Sequence, residues 1–238
     1  MQSIKGKNIL VAGATGGIGA HTVKLLAAAG ANVFITGRNV EKLQQVAIEN
    51  KIPSTNIFDA DLSDPKQVQS LKEAYFTVFQ HIDILINASG IGIIKPVELL
   101  SETEFMLSVN TNLFASFLLV KAFLPAMKTA KTGLIINIPG VLGKVPMAGA
   151  AAYSASKYGL VGMMQSIREE VKRTDIRITN LFMGGVDTPF WNTIDLRVQK
   201  EKMIVAEEAA KAIWFLCQQP VSGVVSEMVL QPFNHQAI

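Results

Sequence analysis

The chain has 238 residues, 49% of them hydrophobic and 17% charged, with 22 Lys and Arg against 19 Asp and Glu for a formal net charge of +3. This length fits one large α/β domain with an ample core. The apolar excess fits a parallel sheet covered on both faces, with further burial in an oligomer. The basic residues are scattered, with no basic run and no aromatic–basic alternation, which argues against nucleic acid as a partner.

The one cysteine, Cys217, lies in an apolar helical stretch and reads as a buried, reduced thiol. No disulfide can form within the chain, which suits a reducing compartment. No apolar leader with a small-residue cleavage site precedes the first strand. The most apolar helix, over 113–127, is interrupted by Lys121 and Pro125 and is too short to span a bilayer. The expected location is the cytoplasm, with no membrane partner.

Residues 8–12 read as a buried strand, and a glycine-rich turn leads into a helix over 18–29 with Gly30 as its cap. A strand over 32–36, a helix over 40–49 and a strand over 55–60 follow. Asp64 and Pro65 open the next helix, Asp64 as N-cap and Pro65 in the first turn. A fourth strand is expected over 82–87, helices over 102–109 and 112–128, a fifth strand over 133–138 and a long helix over 151–173. A sixth strand (176–182), a helix (207–218) and a last strand (224–230) complete the order, without repeats or linkers. Strands alternating with helices predict parallel pairing and right-handed crossovers. The expected fold is a single α/β domain over 1–238, a doubly wound Rossmann-type sheet of about seven strands.

Gly13, Gly17 and Gly19 follow a strand and open a helix. Glycine permits the tight turn and close approach of the backbone to a pyrophosphate, while the helix N-terminus supplies free N–H groups and a positive dipole. The strand–turn–helix context favours dinucleotide binding over an ordinary turn. The second strand ends in Thr36-Gly37-Arg38. An acidic residue there would hold the ribose 2′-hydroxyl of NAD, whereas Arg38 can bind a 2′-phosphate through its planar fork. NADP(H) is therefore expected over NAD(H), the plain alternative being a solvated arginine.

Tyr153 and Lys157 are four residues apart on a predicted helix and share one face. The ammonium favours the phenolate and is expected to lower the tyrosine pKa from its ordinary value near ~10. Such a tyrosine can give and recover a proton near neutral pH. With the glycine turn, the pair points to hydride chemistry at a nicotinamide, with Tyr153 as proton donor.

These separated motifs, in this order, resemble the short-chain dehydrogenase/reductase family over essentially the whole chain. The stretch from Ala12 to Gly19 is similar to the family's Thr-Gly-x-x-x-Gly-x-Gly, and Asp61-Leu62 to the pair that contacts the adenine. Asn87-Ala88-Ser89-Gly90 resembles Asn-Asn-Ala-Gly, departing from it at Ala88 and Ser89. Asn112-Leu113 resembles the start of the helix with the active-site Asn, and Tyr153 to Lys157 the Tyr-x-x-x-Lys. After the sixth strand, Gly184 and Thr188 fit the family pattern, with Met183 in place of its proline. The ending at 227–232 looks more like NADP-dependent members.

The resemblance implies a cofactor site at Gly13, Thr15, Gly17, Ile18, Gly19, Arg38, Asp61, Leu62, Asn87, Gly90, Tyr153, Lys157, Gly184, Val186 and Thr188. In it, Val186 and Thr188 approach the nicotinamide carboxamide and Lys157 binds the ribose. The catalytic set would be Tyr153, Lys157 and Asn112, the last holding a water in a proton relay behind Lys157.

The family's catalytic serine normally lies thirteen residues before the tyrosine, where this chain has Gly140 after Pro139. Losing one donor to the substrate oxygen costs about 10²–10³ in rate, roughly 2.7–4 kcal/mol. The enzyme could use another donor (Ser89, if its side chain reaches the nicotinamide side), a water or a polar group on the substrate. It could bind NADP(H) with little turnover, as a sensor or partner-binding module. Gly140 could make room for a bulky substrate, or Pro139-Gly140 could be a sharp turn. Retention of Asn112, Tyr153 and Lys157 favours a working oxidoreductase acting on a carbonyl or alcohol.

The substrate is expected over the segment from 188 to 206, where Phe190, Trp191, Ile194 and Leu196 could line a lidded pocket. Arg197, Lys200 and Lys202 either contact an acidic substrate or, the favoured reading, are solvated charge. No metal is expected, because His21, His81 and His235 lie in different elements and no His or Cys cluster forms a site. The helices over 112–128 and 151–173 carry apolar or small residues on more than one face, which suggests a homo-oligomer, a dimer or tetramer.

Overall fold

Seven parallel strands form the centre of this computed structural model, which describes residues 2–234. In chain order they are β1 (Asn8–Ala12), β2 (Asn32–Gly37), β3 (Ile57–Asp59), β4 (Ile84–Asn87), β5 (Thr132–Asn137), β6 (Asp175–Met183) and, last, β9 (Glu227–Leu230). Their spatial order is β3-β2-β1-β4-β5-β6-β9. The chain winds outward from β1 to one edge, then returns to start the other half at β4. The carboxyl ends of β1 and β4 therefore flank a crevice at a topological switch point, where open α/β sheets bind ligands.

Both faces of the sheet are covered, which is why its strands are almost continuously apolar. Ile9 and Val11 of β1 point to the face packed by α1 (Gly17–Ala28), α2 (Val40–Glu49) and α7 (Ala206–Leu216). Leu10 and Ala12 point to the face packed by α3 (Pro65–Val78), α5 (Ala115–Ala130) and α6 (Ala151–Val171). This is the period-two alternation of a strand buried on both sides. The expected caps form: Asp64 accepts from the Lys66 N–H, and Gly30 follows the end of α1 with φ +79°.

The differences from the sequence reading lie where pairing or packing sets the boundaries. β3 is trimmed to three residues behind a 3₁₀ turn at Ser54–Asn56, and β9 starts only at Glu227, where its pairing with Asn180 begins. A second sheet, unforeseen, pairs β7 (Val186–Asp187) with β8 (Ile204–Val205) and pins both ends of the segment over the cleft.

The two helices expected around residue 110 are one rod. α4 (Glu102–Val109) runs into α5 through a π turn at Asn110–Phe114. This corrects the expectation of an interrupted, short helix. The 29-residue rod is long and apolar enough to cross a membrane, but half of its most apolar window is buried within this fold, as befits a core helix. Pro125 lies inside it without ending it.

Asn87, Asn137 and Asn180 stand at one register on β4, β5 and β6, all at most 2% exposed. They lie on the face covered by α5 and α6. The Asn87 amide donates to Ser116 Oγ of α5 at 2.7 Å and to Asn137 Oδ1 at 3.5 Å.

Candidate active site

The glycine turn lies directly at the switch point. Gly13 has φ +79°, and a Cβ there would lie 2.7 Å from the Ala88 carbonyl carbon. A Cβ on Gly19 would overlap the Gly13 carbonyl. One glycine thus permits the backbone turn and the other the close crossing of turn and helix. Gly16 caps α1, whose first N–H groups face the crevice with no acidic side chain in the first turn.

The crevice has two continuous halves. One is lined by Thr15, Gly37, Arg38, Asp61, Leu62 and Ser63, beside the end of β2. Among the described residues Arg38 forms no ion pair within 4.0 Å. Asp61 accepts from the Ser63 hydroxyl at 2.7 Å and its N–H at 2.9 Å. These bonds, with help from the Arg38 charge, hold its carboxyl below the usual range. The other half, 300 Å³ in volume, runs from Gly17, Ile18 and Gly19 past Gly90 to Tyr153, Lys157, Gly184, Val186 and Thr188. The bare turn between the halves, with no acidic side chain in the first turn of α1, suits the phosphates of a dinucleotide.

Tyr153 and Lys157 occupy one face of α6, as their spacing requires. Lys157 is 3% exposed and donates to the Ile138 carbonyl at 3.2 Å. Its Nζ is 5.6 Å from the Tyr153 ring centroid. Burial pulls the ammonium down to about 8 and pushes the phenol up to about 12. The expected lowering of the tyrosine by its lysine is not seen: the shift at each group comes from desolvation of its charged form.

Asn112 is placed by the π turn, a distortion often found at functional sites. It is fully buried, and its amide clamps the strap after β4: Oδ1 accepts from the Ile91 N–H at 2.8 Å and Nδ2 donates to the Ile91 carbonyl at 3.0 Å. Nδ2 also donates to Ser156 Oγ at 3.0 Å. Gly90 makes this possible, since a Cβ there would stand 3.0 Å from Asn112 Oδ1 and 3.2 Å from Lys157 Nζ. Asn87 lies beneath the cleft rather than in it. The Ser89 hydroxyl donates back to Asn87 Oδ1 at 2.6 Å, so its proton is committed away from the space beside Tyr153.

Gly140 faces Tyr153 with φ +71° and ψ 170°. The loop after β5 thus carries both a missing side chain and a backbone geometry that L residues avoid. Over the cleft, Phe190 and Trp191 contribute to the lining and Ile194 is buried beneath them. Leu196, expected there too, is 45% exposed and is not part of the lining. Lys200 donates to Asn192 Oδ1 at 3.0 Å, outside the pocket.

The remaining readings fall on structural roles. Cys217 is buried, which pushes its thiol up to about 12. His81 packs beside Asp83 at 3.2 Å, and His235 lies outside the described residues. Sequence reasoning missed Ile94, Val141 and Leu142 in the lining, and Gly92 beneath Phe190. Apolar residues in irregular segments carry no periodic signal.

A switch-point crevice over a glycine turn, with a Tyr–Lys pair at its far end, defines a Rossmann-type nucleotide-binding domain. Within that class the chain belongs to the short chain dehydrogenase family, which it matches over residues 7–199. An uncharacterized oxidoreductase of Staphylococcus epidermidis is 28% identical over 98% of this chain and 100% of its own. The sepiapterin reductase of Chlorobaculum tepidum is 29% identical over 84% of this chain and 82% of its own. A metagenomic short-chain oxidoreductase solved in complex with NADP superposes with a TM-score of 0.84 at 31% identity, over 97% of this chain and 99% of that one. Actinorhodin polyketide ketoreductase with NADPH gives 0.85 at 26% identity over 97% of each chain.

Proposed function

We propose that this protein is an NADP(H)-dependent oxidoreductase interconverting a carbonyl compound and its alcohol. The observation that carries the reading is one continuous crevice with Arg38 at one end and Tyr153 with Lys157 at the other. The solved relatives that hold NADP or NADPH support the same cofactor here.

The cofactor, when bound, supplies or accepts the hydride. Arg38 receives the 2′-phosphate through its planar fork, and Gly17, Ile18 and Gly19 offer backbone N–H groups to the pyrophosphate. Asp61 and Leu62 would hold the adenine, and Val186 and Thr188 the carboxamide. Tyr153, protonated at neutral pH, donates its hydroxyl proton to the substrate oxygen as alkoxide develops, and recovers one in the opposite direction. Lys157 binds the ribose and stabilises the phenolate left behind. Asn112 keeps the Ile91 strap and the Ser156 side of α6 in register with that lysine.

Removing the Tyr153 hydroxyl tests this. Tyr153→Phe should cut turnover by about 10²–10⁴ while NADPH binding stays within a few fold. A second reading, an NADP(H)-binding sensor, is favoured by the bare Gly140. It takes precedence if the wild-type protein binds NADPH but reduces none of a panel of ketones, aldehydes and quinones.

We also infer a homo-oligomer. Phe105, Met106, Leu107, Phe114 and Phe117 on the long rod are each 37–50% exposed, an apolar face suited to a second copy.

A further inference from the structure

The segment between β7 and β8 docks on the cleft through two positions that lack side chains. A Cβ on Gly17 would lie 2.5 Å from Thr188 Cγ2. A Cβ on Gly92 would overlap the Phe190 ring and lie 2.8 Å from Ile194 Cδ1. Gly92 is not among the glycines with positive φ, so space rather than backbone conformation is what requires glycine there. Close-packed side chains do not absorb such overlaps without moving.

Seated in this way, Phe190 stands over the reacting group. Its ring centroid is 6.0 Å from that of Tyr153, at an interplanar angle of 44°. Trp191 meets it edge-on at 5.4 Å and is itself fixed by donation from Nε1 to the Val186 carbonyl at 2.9 Å. Aromatic rings with centroids about 4.5–7 Å apart are already in contact. Nothing the size of a ring fits between Tyr153 and Phe190 unless Phe190 lifts.

The other walls near Tyr153 are Ile94, Val141, Leu142 and Met183. None carries a charge; of the two lysines in the lining of this half, Lys157 donates to the Ile138 carbonyl and is assigned above to the ribose and the phenolate, and Lys42 belongs to α2, four residues past Arg38. A carboxylate or phosphate on the substrate would be desolvated there with no further cation beside Tyr153 to pair with it. Because Gly140 has no side chain, it adds no hydroxyl. The 300 Å³ of this half is at the lower end of ligand pockets, and the nicotinamide end of a cofactor takes part of it.

We propose that Phe190, held down by its seat on Gly92, sets an upper size limit on the substrate, and that the pocket takes compact, uncharged, apolar aldehydes or ketones. The substrate class rests on the reductase reading above; the seat does not. Phe190 acts here on specificity, leaving the proton transfer to Tyr153.

The experiment compares kcat/KM for short aliphatic carbonyls with that for aryl and bicyclic ketones and for keto acids. It uses the wild type, Phe190→Ala, Gly92→Ala and the double variant. The wild type should favour compact neutral substrates by about tenfold or more, within the range one pocket can discriminate. Phe190→Ala should erase that preference. Gly92→Ala should shift it the same way, and its effect should largely vanish in the Phe190→Ala background, as expected of coupled neighbours. A wild type that prefers bulky or anionic carbonyls, or a Phe190→Ala variant whose ratio stays within twofold, overturns the proposal.

A second readout needs no turnover. The chain has two tryptophans, so Trp214→Phe leaves Trp191 as the sole indole. Adding Gly92→Ala should red-shift its emission and increase quenching by acrylamide as the aromatic pair lifts. Unchanged emission and quenching overturn the seat. An intact Trp191 response with no turnover of any carbonyl upholds the seat and sinks the reductase reading, and with it the substrate class.

Discussion

A Cβ placed on Gly140 would stand 3.9 Å from the Tyr153 hydroxyl oxygen and 3.4 Å from the Met183 carbonyl. The position therefore has room for a side chain and aims it at the reacting group. Its backbone is the obstacle: φ +71° with ψ 170° is a conformation essentially confined to glycine. The lack of a side chain at this position is thus coupled to the backbone geometry of the turn after β5.

This sets what Gly140→Ser should do. Strain of about 1–3 kcal/mol is expected for any side chain here, lowering Tm by about 2–4 °C for each kcal/mol. Gly140→Ser and Gly140→Ala should melt lower by the same amount in scanning calorimetry, and neither should exceed the wild type in kcat. A serine variant about 10² faster than the wild type would show instead that a missing donor limits the reaction.

Arg38→Ala tests cofactor choice. A charge-assisted contact contributes about 1.5–3 kcal/mol, so the NADPH dissociation constant should rise by about 10–100-fold while that for NADH stays nearly constant. Fluorescence titration of both cofactors measures this. Equal wild-type affinities for the two would refute the preference.

Lys157 should leave a mark on stability against pH. Its folded pKa is depressed from 10.5 to about 8, so between those values the unfolded chain binds more protons and stability rises with pH. Tyr153 acts in the opposite sense. Its folded pKa is raised from 10.0 to about 12, and its contribution is lost as pH climbs through that range. Urea unfolding of the cofactor-free protein at pH 7.0 and pH 9.5 should show the wild type gaining about 2 kcal/mol from the lysine. Lys157→Met should lack that gain.

The exposed apolar face of the long rod predicts a mass well above the 25.7 kDa of one chain. Light scattering at micromolar concentration should give a dimer or tetramer. Phe117→Glu, which replaces a ring stacked 6.1 Å from Phe114 with a carboxylate, should reduce the mass. A monomeric wild type would refute the oligomer.

The sheet was legible because β-branched runs such as Asn8–Ala12 and Ile84–Asn87 stand between clear turn signals, and the glycine turn and Tyr153–Lys157 are local patterns. The merging of α4 and α5 was not, because a π turn keeps helical hydrogen bonding while shifting the periodicity on which a sequence reading depends. The short β7–β8 pair was hidden too, since two-residue strands have no alternation to detect. The pKa balance at Tyr153 required knowing how deeply both groups are buried. Gly140 was visible as a position without a side chain, but its positive φ could be learned only from the fold.

The asparagines of β4, β5 and β6 carry a consequence for how this sequence can change. Asn137 Nδ2 and both amide atoms of Asn180 have no protein partner among the described residues, while Asn87 shares its amide between Ser116 and Asn137. Altering one member changes which groups its neighbours can bond, at a cost of about 1–3 kcal/mol for each buried group left stranded. Substitutions at Asn87 and Asn137, fifty residues apart in the chain, are therefore expected to be non-additive, as for residues of one hydrogen-bond network.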